Sequence, residues 1–410
     1  MDVMHNRIRP YAWGSRTTIA ELLGEPSPSA HPQAELWVGA HPADSSTVVG
    51  PDGERALVDV VADDPEAALG GRVRKHLGDR LPFLLKVLAA AEPLSLQAHP
   101  SADQAARGFA AEEDAGIPRS SPNRNYKDSS HKPELVYALT EFRALCGFRD
   151  PAHTVEILQE LGSPRLEHYL GLLSGQPDAG GIRAFFSVGI TLPSSALDPL
   201  LSDVLACCVD RVREGSRFAD EYRTTLELGE RYPGDPGVLA SLLMNHVTLR
   251  PGQALSLPAG NLHAYLSGAA IEIMANSDNV LRGGLTPKHV DVPELMRVLD
   301  FAPVAVPLQD GEPGDVPDEV VFATPFPEFR LSRLDLGDEP RTLHHDGPQV
   351  LLVFEGELRV ERVPDGADAA GGGEALTVPR GRSVWVAAAD GPIRVSGPAT
   401  VFRARDGLSD

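Results

Sequence analysis

The sequence predicts a mainly β chain with a helical insertion, arranged as two β-barrel domains plus an α-helical domain. Three observations carry this. Short apolar runs broken by Pro and Gly fill both ends of the chain, amphipathic periodicity fills the middle, and one strand–turn pattern occurs twice. At 410 residues the chain is long enough for two or three domain cores.

From 1 to 150, runs such as ELWVGAHP (35–42), PFLLKVL (82–88) and LVYAL (135–139) read as strands, with helical patches near 55–76 and 101–113. Between 151 and 246 apolar residues recur at three- and four-residue spacing, as in VEILQELG (155–162), LDPLLSDVLACCVDRVRE (197–214) and FADEYRTTLELGERY (218–232). PGDPGVLASLLMNHV (233–247) reads as one more helix, entered through Pro-Gly-Asp-Pro. Strands resume from 247. PELMRVLDF (293–301) predicts a short helix, PLQDGEPGDVPDE (307–319) a linker, and the remainder further strands.

The repeated pattern is PGQALSLPAGNLH (251–263) against GGEALTVPRGRSV (372–384). Both share Gly, a polar residue, Ala-Leu, a hydroxyl residue, an apolar residue and Pro-x-Gly. A strand ending at Pro-x-Gly is common in cupin-type barrels, where a ligand histidine follows the turn. Two copies predict two cupin-like β-barrel (jelly-roll) domains.

Charge narrows the function. Lys and Arg number 37 against 58 Asp and Glu, a net −21, which repels nucleic acid and anionic membrane. An anionic small substrate would need a local cluster of cations. No apolar run approaches the roughly eighteen residues of a membrane span, and the first residues carry no signal-peptide core. The three cysteines, Cys146, Cys207 and Cys208, lack metal-site spacing, so the adjacent pair reads as helix packing and the expected location is cytoplasmic.

The chemistry concentrates in three segments. Gln97 and His99, two apart, share a strand face. Lys132 and Glu134 share one across Pro133. His263 follows the first Pro-x-Gly turn. Two imidazoles, a carboxylate and an amide oxygen can hold a divalent ion, with Zn, Fe, Ni or Cu favoured over Mg or Ca. Each segment alone also reads blandly, as surface polarity or a satisfied core histidine. Spacing by itself does not bring them together.

The chain resembles the type I mannose-6-phosphate isomerases (phosphomannose isomerases) of the cupin superfamily. The resemblance rests on YAWGS (11–15), AELWVGAHPADSS (34–46), PFLLKVL (82–88), PLSLQAHPS (93–101), YKDSSHKPEL (126–135), ALCGFR (144–149) and LPAGNLHAYLSGAAIEIMANSDNVLRGGLTPKHVDVPELMRVLDF (257–301). The helical insertion and residues 311–410 match in layout only. The resemblance implies interconversion of mannose 6-phosphate and fructose 6-phosphate through an enediol(ate), in a step shared by glycolysis and GDP-mannose biosynthesis. It implies one Zn²⁺ per chain on Gln97, His99, Glu134 and His263. It places Arg282, Lys132, Asp278, Glu272 and His131 in the active site, with Lys86, Ser95 and Arg282 at the phosphate. The expected partner is a small phosphosugar, with no nucleic acid and no membrane. Oligomeric state is left open, a monomer being compatible.

The implied domains are a discontinuous catalytic barrel of 1–150 and 247–306, the helical insertion 151–246, and a metal-free C-terminal barrel of 307–410. For the C–H proton, Lys132, Asp278 and Glu272 stay open, with Lys132 ranked first because a nearby dication lowers an ammonium pKa. Asp278 is assigned to ring opening. Trp13 and Trp37 read as barrel packing, His344-His345 as an exposed pair, and His41 as a residue outside the cleft. Two rivals are an iron cupin oxygenase and a non-catalytic sugar-binding cupin. The cations Lys86, Arg282 and Lys288 disfavour the first, and Lys132, Asp278 and Arg282 the second.

The repeat yields a prediction. Aligned copies pair Val384 with His263, so the second barrel has lost its ligand position. Elemental analysis should find one zinc per chain, abolished by His263→Ala and untouched by removing His344 and His345. Two tightly held metals, one beyond residue 310, would contradict it.

Overall fold

The computed structural model describes residues 1–50, 53–363 and 375–408. The chain is mostly β, in sheets of eleven and twelve strands, with helices largely between Pro151 and Ser241. The eleven-stranded sheet is organised by one long strand, His263–Ala275. Gly268, at φ 116°, splits it in two, because a Cβ there would sit 2.5 Å from the Glu141 carbonyl. Its second half pairs with Phe83–Ala90 and Glu134–Ala138. Its first half pairs with Leu96–Ala98 and Phe142–Phe148. This bend brings the beginning of the strand over Glu134.

The insertion forms as expected, with helices Pro151–Leu161, Glu167–Gly175, Ala179–Thr191, Ser194–Arg213, Ala219–Arg231 and Gly237–Ser241. Asp150 caps the first by accepting from the His153 N–H, with Pro151 at its first turn. The apolar faces pack on one another and on Leu96, Ala98, Phe148, Leu262 and Leu281 of the sheet. Cys208 is buried in this packing and unbridged. One boundary differs. Residues 244–247 are strand, not helix, because Met244–Leu249 pairs with Phe142–Phe148. The Asn245 amide donates to the Cys146 and Phe148 carbonyls beside it.

The two Pro-x-Gly turns are alike. Asn261 N–H donates to the Pro258 carbonyl at 3.3 Å with Gly260 at φ 78°. Arg382 N–H donates to the Pro379 carbonyl at 3.1 Å with Gly381 at φ 79°. Positions 372–374 of the second copy lie outside the described residues. Val384 is fully buried where the first copy has His263.

Two expectations require correction. The first 150 residues do not all join one sheet. Asp2–His5 pairs with Ser383–Val386 and Thr47–Gly50, so N-terminal strands complete the sheet built by the C-terminal segment. Alternation marks a strand but not its partner, which is a non-local choice. The supposed linker also pairs at both ends. Leu308–Gln309 joins one sheet and Glu312–Pro313 the other. Between the sheets lies a common apolar layer, with Leu36, Val38, Leu85 and Ile271 facing Leu331, Val350, Trp385 and Phe402.

His344-His345 is not an exposed pair either. His344 is exposed but His345 is buried, and its Nε2–H donates to Asp406 Oδ2 at 2.7 Å. Arg72, from the helix Pro65–Leu77, meets the other oxygen of Asp406 at 2.9 Å. Burial pushes the Asp406 carboxyl up, but His345 and Arg72 override it and hold it below its ordinary value of 3.8. Arg72→Ala should cost about 3 kcal/mol, since it takes the guanidinium from a buried carboxylate and leaves it only neutral donors. Urea unfolding measures this. Because the folded pKa is depressed, the contribution is full above 3.8 and is lost as pH falls below it. The acid sensitivity should therefore shrink in Arg72→Ala.

Candidate active site

At the open end of the bent strand, His99, Glu134 and His263 each offer a ligand atom within 4.8 Å of the others. His99 Nε2 lies 3.3 Å from Glu134 Oε1, and His263 Nε2 lies 3.4 Å from Glu134 Oε2. Both rings are turned by their other nitrogen. His99 Nδ1–H donates to the Asn279 carbonyl at 2.8 Å, and His263 Nδ1–H to the Asn261 carbonyl at 3.0 Å. That fixes the tautomer which leaves Nε2 bare, the arrangement of metal-ligating histidines. His99 Nε2 is buried with no hydrogen-bond partner. Gln97 stands opposite His263 in register, with its amide N–H 3.5 Å from Ser95 Oγ. This donor set fits a transition-metal dication.

Burial drives the electrostatics. It pushes the His99 imidazole down to about 4, so the ring is neutral and can ligate. It pushes the Glu134 carboxyl up, but Lys132, His99 and His263 override it and hold Glu134 ionised. Lys132 Nζ sits 3.0 Å from Glu134 Oε1.

Behind this group is a second buried network. Lys86 Nζ lies 2.9 Å from Glu272 Oε2 and 3.5 Å from Glu35 Oε1. Glu272 also accepts from Tyr265 OH, and Glu35 from Trp37 Nε1. Lys86 is thus committed to two carboxylates rather than free for a phosphate. Burial pushes its ammonium down, but the carboxylates outweigh that and keep it charged.

The Lys86 network lines a cleft of about 540 Å³ together with Ser95, Gln97, Lys132, Asp278 and Arg282, and Gln97 and Lys132 also line the small pocket at Glu134 and His263. The rim of the cleft carries Lys127, Arg282 and Lys288. Among the described residues none of these three makes an ion pair within 4.0 Å.

Of the expected site residues, only His131 falls outside this assembly. Its Nε2 faces Glu328 at 2.6 Å. Alternation explains this, since Lys132 and Glu134 point inward and His131 outward. His41, read as lying outside, lines the cleft with Nε2 3.5 Å from Asp278 Oδ1. Trp37 both packs and lines the cleft, and Trp13 lies at its mouth. Glu35 and Trp37 were legible in principle, as Glu-x-Trp puts both on one strand face.

Fold and site define a β-sheet protein with one buried transition-metal centre beneath a cation-rimmed cleft, the constitution of a metalloenzyme for small anionic substrates. The model for the phosphomannose isomerase type I catalytic domain matches residues 1–151. Mannose-6-phosphate isomerase of Escherichia coli (strain K12) is 38% identical over 406 residues, covering 98% of this chain and 99% of its own. The Homo sapiens mannose-6-phosphate isomerase is 31% identical over 379 residues, 86% of each chain. A crystal structure of the Salmonella typhimurium mannose 6-phosphate isomerase, bound to substrate (f6p) and zinc, matches with a TM-score of 0.87 at 36% identity over 100% of both chains. The chain belongs to the type I phosphomannose isomerase family.

His99→Ala should abolish tight binding of a divalent transition metal while leaving the fold intact, because His99 contacts the site and not the apolar interior. Metal titration of the metal-free protein, alongside circular dichroism, checks both halves. Retained affinity would remove His99 from the ligand set.

Proposed function

We propose that this chain is a zinc-dependent aldose–ketose isomerase that interconverts mannose 6-phosphate and fructose 6-phosphate. The observation that carries the reading is a preorganised His99–Glu134–His263 group adjoining, through Gln97 and Lys132, a cleft in which Lys127, Arg282 and Lys288 lack carboxylate partners. A metal centre serves the sugar oxygens, and the rim suits a phosphate several carbons away. An oxygenase has no use for the rim.

Gln97, His99, Glu134 and His263 hold the zinc, which supplies Lewis acidity toward charge developing on the sugar oxygens. Arg282, with Lys127 and Lys288, binds the phosphate, and Ser95 supports the cleft wall. Anchoring the distant phosphate turns remote binding energy into positioning at C1 and C2. Asp278, with His41 beside it, assists ring opening. Lys132 carries the proton between C2 and C1 through an enediol(ate). Glu272 and Lys86 form the charged floor that keeps this end of the barrel polar.

The same reading extends to architecture. Two cupin jelly-rolls flank the shared apolar layer, each with its own interior. Val136, Phe142, Leu255 and Tyr265 fill one, and Leu334, Val353, Val378 and Val384 the other. The second carries no ligand histidine after its turn and is structural. The first comprises most of 1–150 with 247–306, less the N-terminal strands lent to the second, and 151–246 is the helical domain. No single helix among the described residues is long and apolar enough to cross a membrane. A cytoplasmic enzyme with a small phosphosugar partner fits the family.

A coupled isomerase assay tests the activity directly. Chelation should remove it and zinc should restore it. Arg282→Lys keeps charge but loses the guanidinium fork, so kcat/KM should fall about ten- to a hundredfold. A dominant rise in KM assigns Arg282 to ground-state phosphate, and a dominant fall in kcat to the enediolate. Activity surviving in rigorously metal-free protein refutes the mechanism.

A further inference from the structure

Asp235 lies in the turn before the last helix of the insertion, and nothing about the metal or the sugar calls for it. Its carboxylate nevertheless accepts three backbone N–H groups. Gly237 N–H reaches Oδ1 at 2.7 Å, which is ordinary turn capping. Leu285 N–H reaches Oδ1 at 2.8 Å and Thr286 N–H reaches Oδ2 at 3.1 Å, and these come from a segment fifty residues away.

That segment is the rim. Leu285, Thr286, Pro287 and Lys288 all line the cleft, and Arg282 lies just before them. Its backbone is held in a costly shape. Leu285 has φ 54°, a left-handed conformation that a leucine rarely adopts. Strain of this kind persists only where the surroundings over-determine it. Here the Leu285 side chain is locked in the insertion's apolar cluster while Asp235 grips its N–H. The approach is close by construction. A Cβ on Gly284 would lie 2.8 Å from Asp235 Oδ1, and one on Gly237 would lie 2.8 Å from the Leu285 nitrogen. The same turn holds the opposite wall, as Tyr232 OH donates to the Pro93 carbonyl at 2.6 Å, two residues before Ser95.

We propose that Asp235 is a positioning residue for the phosphate end of the substrate: from the helical insertion it holds the 284–288 segment in the strained conformation that presents Lys288 to the cleft that Arg282 also lines. This rests on the reading of the rim as a phosphate site. It gives the insertion a part in substrate binding that no motif in it declares.

The test uses the zinc-loaded full chain. Asp235→Asn keeps size but turns a two-oxygen acceptor into one that must aim an amide N–H at backbone donors. KM for mannose 6-phosphate should rise roughly tenfold while kcat changes less than about threefold, because an anchor acts alike on ground and transition states. Bound zinc should be unchanged. Lys288→Ala alone should also raise KM. Combined with Asp235→Asn it should add little, because both act through one element. If Asp235→Asn leaves KM alone, or its effect simply multiplies with that of Lys288→Ala, the inference is overturned. If Lys288→Ala leaves KM alone as well, the phosphate reading of the rim falls instead. Should Asp235→Asn fail to fold, hydrogen exchange of the wild-type holoenzyme decides. The Leu285 and Thr286 amides should be protected without ligand and gain little from inorganic phosphate. Free exchange that is suppressed only by phosphate would mean that Asp235 does not hold the rim.

Discussion

Burying the Glu134 carboxylate at the end of an apolar barrel is unfavourable by several kcal/mol unless cations and donors surround it. Much of the local architecture answers that need. Lys132 is placed two residues away on the same face, at 3.0 Å. The bend at Gly268 lets one strand deliver His263 to Glu134 while its other half pairs across Phe83–Ala90. A second buried carboxylate, Glu272 on that same bent strand, is balanced in turn by Lys86, directly opposite in register. Pairs formed in this way cannot be removed one member at a time. A change at Lys86 strands Glu35 and Glu272, so its effects on activity and on stability are entangled.

The sheets and the insertion have different relations to this centre. The eleven-stranded sheet supplies the donor atoms. The twelve-stranded sheet supports it through the common apolar layer, where Trp385 and Phe402 back the strands that carry the site, and through Arg333, which donates to Tyr137 OH at 2.8 Å. The helices cover one flank with leucine and phenylalanine, and through Tyr232 and Asp235 they also tie two walls of the cleft. Rigidity at the centre is therefore borrowed from three directions.

Much of this was legible from local pattern. The alternations Gln97-x-His99 and Lys132-x-Glu134, the Pro-x-Gly turn before His263, and the periodic helices between 151 and 241 each report local geometry. The family motifs added Arg282, Asp278 and Glu272. What stayed hidden was pairing at a distance. His131 lies in a matching motif, yet period-two geometry turns it outward to Glu328. Lys86 reads as a phosphate ligand until Glu35 and Glu272 are seen beside it. Asp235 reads as turn chemistry, because only the tertiary fold brings Leu285 and Thr286 to it. The N-terminal strands were assigned to the wrong sheet for the same reason.

The pairing of Asp2–His5 with Ser383–Val386 also bears on how the molecule is made. A ribosome delivers the first of these strands long before the second, and domains that are complete in sequence begin to fold as they emerge. The helices of the insertion need only their neighbours. The twelve-stranded sheet has no such option, since Asp2–His5 waits for a partner far later in the sequence. Contacts of this span are slow to form. That sheet thus closes around residues synthesised far earlier, and until then an unpaired strand edge is left for a chaperone, or for another copy of the chain, to meet.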